Sequence, residues 1–81
     1  MRLRIKELKK QANAIREKGT PKLTNVTIGA YVYPGNQSAN SKAVRVQRQN
    51  TGVSKGILLV HLFRYMQILK CSANELIEFK N

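Results

Sequence analysis

A predominantly helical fold is what this sequence predicts, and three observations carry the prediction. Near the start, Ile5, Leu8, Ala12 and Ile15 recur at intervals of three and four, which lays one apolar stripe along a helix over residues 3–18. Residues 55–70 hold Ile57, Leu58, Leu59, Val60, Leu62, Phe63, Met66, Ile68 and Leu69, an apolar content high enough for a central core helix. After it, Ser72-Ala73-Asn74-Glu75 matches a capping box, in which the serine and the acid satisfy each other's backbone N–H groups. With 81 residues, 42% of them apolar, the chain has room for one core, so residues 1–81 are read as one domain.

Taken in order, the first helix has Lys6, Lys9, Lys10 and Arg16 off its apolar stripe. Glu7 lies near the positive end of the helix dipole and Lys18 at the negative end. Gly19 suits the residue after a helix, and Pro21 prevents continuation. Residues 22–35 admit two readings. Val26, Ile28, Ala30 and Val32 alternate with Thr27, Gly29, Tyr31 and Tyr33, which is a strand pattern closed by Pro34-Gly35. Alternatively Thr24 or Asn25 caps a short helix over 26–33 that buries Ile28, Tyr31 and Val32; Gly29 and the β-branched residues oppose this locally.

Residues 36–42 have turn composition, and 43–49 are again open. A strand there puts Arg45, Gln47 and Gln49 on one face. A helix capped by Ser38 or Ser41 buries Ala43 and Val46, with Val44 at the margin, and exposes Lys42, Arg45, Arg48 and Gln49. Residues 50–53 form a turn, and Ser54 is the expected cap of the helix from Lys55 to Lys70. The last helix, begun by the capping box, would bury Leu76 and Ile77, with Phe79 a further candidate.

Charge speaks to function more directly than the elements do. Fifteen basic residues face four acidic ones, a net charge of +11, and from Lys18 to Asn74 there is no acid at all. Such an excess costs stability through self-repulsion and is the footprint of an anionic partner. Within the acid-free stretch, residues 36–50 are dense in Arg, Asn, Gln and Ser, the side chains that bond base edges and phosphates. Docking on an acidic protein or a lipid surface is a third reading; lipid binding asks only for charge plus an amphipathic moment, and the density of amides among the arginines argues against this class.

Catalysis and cofactor binding find little support. His61 lies in an apolar run with no nucleophile or orienting group beside it, and reads as a core or boundary residue. Cys71 is the single cysteine, which excludes an intramolecular disulfide and reads as a small buried hydrophobe. One Cys and one His fall short of a four-ligand zinc site, and Glu7, Glu17, Glu75 and Glu78 are too peripheral for a magnesium site. Neither an enzyme nor a cofactor is expected. The longest apolar run, 57–63, is far short of the ~20 residues that cross a bilayer. The first six residues lack the apolar run of a signal peptide. A cytoplasmic protein without a membrane partner is expected.

The C-terminal half, Gly52-Val53-Ser54, then Leu58-Leu59 through Phe63-Arg64-Tyr65-Met66-Gln67-Ile68-Leu69-Lys70-Cys71-Ser72-Ala73-Asn74-Glu75-Leu76-Ile77, resembles the last two helices of lambda-repressor-like (Cro-type, XRE) helix-turn-helix domains. The opening Ile5-Lys6-Glu7-Leu8-Lys9-Lys10 is similar to helix 1 of that family. The resemblance implies an all-α, five-helix domain that binds double-stranded DNA as a homodimer and regulates transcription. Helix 2 would lie at 25–33, and the recognition helix would run from 38 or 41 to 49. Base contacts would then fall to Gln37, Asn40, Ser41, Lys42 and Arg45, because residues near the start of a recognition helix face the groove. Arg48, Lys55 and Lys22 would contact phosphate. The chain departs from the family in the middle, where Gly29 stands at an alanine-like place and the turn from Pro34 to Gln37 is several residues too long.

The alternative is an α+β fold in which 26–49 forms a basic β-hairpin between helices. Such a ribbon suits a major groove, or RNA in a small ribosome-associated protein.

Overall fold

The computed structural model describes residues 2–16, 19–51 and 57–78. Five helices account for 66% of them, and the fold is all-α apart from one very small sheet. In order the elements are β1 (Arg2–Leu3), α1 (Ile5–Ala14), α2 (Asn25–Val32), α3 (Ala39–Thr51), α4 (Leu59–Leu69), α5 (Ala73–Leu76) and β2 (Ile77–Glu78). Each helix and β1 contribute to one core, built from Leu3, Ile5, Leu8, Leu23, Ile28, Val32, Tyr33, Val46, Leu62, Tyr65, Leu69 and Leu76.

The hairpin alternative is overturned: residues 25–32 and 39–51 are both helical. Local sequence opposed this at α2, and two effects override it. Thr24 caps the helix, its side chain accepting from Thr27 N–H while the Thr27 hydroxyl oxygen accepts from Thr24 N–H. The helix then buries Ile28 and Val32, and Gly29 meets the backbone of α3 directly. A Cβ on Gly29 would stand 2.9 Å from the Lys42 carbonyl carbon, so only glycine admits this approach.

Between α2 and α3 the chain runs through Tyr33, Pro34, Gly35, Asn36, Gln37 and Ser38. Gly35 takes a positive φ of 143°. Ser38 starts α3, its hydroxyl oxygen accepting from Ser41 N–H at 3.1 Å.

Both outer helices are shorter than the periodicity predicts. α1 stops at Ala14, and Ile15, expected on the buried stripe, is 85% exposed. The Asn13 amide explains the stop. It donates to Leu23 O and accepts from Leu23 N–H, so it fastens the returning chain where another helical turn would run. Gly19 does have a positive φ, 95°, but five residues past the helix end.

α4 begins at Leu59; the expected cap Ser54 lies outside the described residues. It ends at Lys70 in the left-handed region (φ 53°), with Cys71 N–H donating to Met66 O at 3.1 Å. α4 is not enclosed on all sides as its composition predicts. It buries Leu62, Tyr65 and Leu69, but Leu58, Leu59, Val60 and Phe63 remain exposed.

The capping box at Ser72–Glu75 forms as expected, but α5 lasts four residues. Leu76 is buried, while Ile77 leaves the helix for β2, which pairs antiparallel with β1 (Arg2 opposite Glu78, Leu3 opposite Ile77). Phe79 lies outside the described residues. Arg2 braces this clasp, pairing with Glu7 at 2.7 Å and with Glu78. No described helix is long and apolar enough to cross a membrane.

Candidate nucleic-acid interface

α3 presents the polar face that the sequence points to. Asn40, Val44, Gln47, Arg48 and Thr51 are exposed and recur at helical spacing, so they form one outward stripe. Gln37 and Ser41, also exposed, extend it at the N-terminal end. The opposite side of the helix carries Val46 into the core. The stripe has donors, acceptors and one cation, and α3 contains no acid.

Of the expected base-reading residues, Gln37, Asn40 and Ser41 stand on this face. Ser41 Oγ accepts from Ser38 Oγ at 2.9 Å, which leaves its own hydroxyl proton available. Lys42 requires a correction. It is only 9% exposed, and its Nζ donates to Gly35 O at 3.0 Å. The helical period puts position 42 against α2, so its ammonium pins the α2–α3 connection and does not reach outward.

Arg45 lies at the edge of the stripe, half-buried, its Cζ 3.9 Å from the centroid of the Tyr33 ring. Stacking on an aromatic face holds a guanidinium in place while leaving its edge donors free. Among the described residues none of those donors takes a protein partner.

Of the expected phosphate contacts, Arg48 lies on the stripe and Lys22 is exposed near α1. Lys55 lies outside the described residues. The sequence placed Gln47 on one face of a strand, and Val44 at the buried margin of a helix; the structure instead exposes both on α3, Val44 at 42%. A helix over 39–51 sets both beside Asn40 and Arg48.

Tyr33 anchors the side of the interface nearest α4. It is buried, and its Oη shares a hydrogen bond with Tyr65 Oη at 2.9 Å. Burial and that bond push the Tyr65 phenol well above its ordinary value. His61 meets the Tyr33 ring edge-on, centroids 4.7 Å apart. Burial, and then the charges of Arg45 and Arg64, hold the His61 imidazole below its ordinary value.

Arg64 donates to Val32 O at 3.3 Å, satisfying a carbonyl at the end of α2. Tyr33 is thus a packing residue, and half-exposed Tyr31 donates to Gln67 Oε1 at 2.8 Å. Burial, and secondarily Glu75, push the Cys71 thiol up, away from the thiolate form. Among the described residues no three His, Cys, Asp or Glu side chains gather to hold a metal.

No protein-family model matches the chain, and no curated protein or solved structure does either.

Proposed function

We propose that this protein is a small sequence-specific DNA-binding transcriptional regulator, with α2 and α3 as its helix-turn-helix and α3 as the reading element. One observation carries the reading. The outward stripe of α3 joins amides, hydroxyls, a valine and an arginine on a helix without a single acid. A helix of that width fits a major groove, where amides pair with adenine, arginine with guanine, and an apolar side chain meets the thymine methyl. Gln37, Asn40, Ser41, Val44 and Gln47 are the proposed base contacts, with Arg45 held at the edge by Tyr33. Arg48 and Lys22 contact phosphate, and so would Lys55. The net charge of +11 supports a salt-dependent grip on the backbone.

A single short helix reads few base pairs, so the regulator would act as a homodimer on paired half-sites. The exposed apolar residues Leu59 and Phe63 at the start of α4 are available for a second copy. Acting as a cytoplasmic protein, it would regulate by occupying its site.

Selection of duplexes from a random DNA pool at about 150 mM salt, with structured RNA as competitor, tests this. An enriched motif is expected, with half-sites about one helical turn apart. Asn40→Ala should then relax the motif, whereas Arg48→Ala should weaken all sequences alike. Absence of any motif, with the protein retained on RNA, would overturn the reading.

A further inference from the structure

α1 carries a second basic surface that the reading helix does not explain. Lys6, Lys9, Lys10 and Asn13 recur at i, i+3, i+4 and i+7, on one flank of α1 beside the stripe of its buried Ile5 and Leu8. An amphipathic helix ordinarily leaves such a face open to water. Here it lines a shallow groove of about 480 Å³, and Lys22 joins the lining from the returning chain.

Two contacts organise the groove. The Asn13 amide is bonded twice to Leu23, with Leu23 N–H to Oδ1 at 2.7 Å and Nδ2 to Leu23 O at 3.0 Å, so Lys22 is held beside α1. Lys9 Nζ donates to Asn25 Oδ1 at 3.0 Å, and Asn25 Nδ2 reaches Gln47 Oε1 at 3.5 Å. The second contact ties the groove to the edge of the α3 stripe. Among the described residues four lysines line the groove and no carboxylate does. Like charges one turn apart repel, and a bound anion would relieve that repulsion.

We propose that this groove is a backbone-phosphate site, seating phosphates along one strand of a double-stranded nucleic acid. Lysine ammonium groups act as point charges with rotatable donors, which suits phosphate and carries no base information. Lys6 and Lys10 are about 6 Å apart along the helix axis, close to the axial rise of two nucleotide steps on one strand at about 3.4 Å each. The site requires a duplex backbone and no preferred sequence, so it stands or falls apart from the sequence-reading role of α3.

The test is the triple variant Lys6→Gln/Lys10→Gln/Lys22→Gln, bound to arbitrary-sequence duplex DNA and, separately, duplex RNA between about 50 and 200 mM salt. All three side chains are exposed and make no hydrogen bond among the described residues, so the fold should persist, which circular dichroism checks. The expected result is binding weakened about tenfold or more, with the log–log salt slope flattened by roughly two to three units, about 0.9 per lysine.

Lys70→Gln, at an exposed lysine outside the groove, should change the slope far less per charge removed. Loss on DNA alone, on RNA alone or on both supports the site and identifies the duplex it serves. An unchanged slope, the same loss per charge for Lys70→Gln, or no binding of either duplex by the unmodified protein overturns it. A groove-dependent slope without any enriched motif would sink the reading of α3 and leave the groove standing.

Discussion

Gly29 decides how near α2 comes to α3. A Cβ there would lie 2.9 Å from the Lys42 carbonyl carbon and 3.0 Å from its oxygen and Cβ, and backbone cannot step aside cheaply. Gly29→Ala should therefore destabilise the fold. Overpacking costs about 1–3 kcal/mol, against about 1 kcal/mol gained in helix propensity. A urea titration measures the balance, and a more stable alanine variant would refute the close approach.

His61 supplies a prediction in pH. Its imidazole is held below its ordinary value, mainly by burial beside Tyr33 and then by Arg45 and Arg64, so the unfolded chain takes up the proton first. Above about pH 6.5 this has no effect on stability. As pH falls from there toward the folded value, stability is lost, and the loss levels off below it. His61→Gln should flatten melting temperature against pH in that window. Glu7, held low mainly by Arg2, acts in the same sense but in a separate, more acidic window. Its stabilisation is present at neutral pH and is lost only as pH falls through its lowered carboxylate value.

At the scale of elements, caps and helical period carry different kinds of information. The Ser72–Glu75 box was legible because both of its hydrogen bonds are local, and it forms as the sequence predicts. Thr24 was legible only as one of two candidate caps, because strand alternation over 26–33 competed with it. Thr24→Ala and Ser72→Ala should each cost about 1 kcal/mol, and the losses should add because the caps lie on different helices. Chemical denaturation of the double variant checks this; a double loss well below the sum of the singles would mean that the two caps are coupled. The end of α1 was not legible, since Ile15 continues the apolar period and the Asn13–Leu23 clamp joins residues ten apart.

The whole molecule has little to offset its charge. The described ion pairs gather at the chain ends, where Arg2 joins Glu7 and Glu78 across the β1–β2 clasp. Repulsion among the remaining cations should yield to screening. Raising salt from about 10 mM to about 150 mM shortens the Debye length from about 30 Å to about 8 Å, and the melting temperature should rise. A fall would mean that the Arg2 pairs outweigh the net repulsion. The same salt that steadies the fold should weaken duplex binding, since releasing counterions then gains less.

Composition and period alone pointed to a predominantly helical fold, and fixed a large positive charge and an amide-rich polar segment near residues 37–48. Those properties are sums over residues or patterns within a few turns. Tertiary structure decided that 25–32 and 39–51 are helices, because the contact of Gly29 with Lys42 and the burial of Ile28, Val32 and Val46 outweigh local strand preference. It also withdrew Lys42 from the interface, and it brought Lys22 to the lysines of α1. A side chain's partner across the fold depends on which helix packs beside it, and no local pattern encodes that.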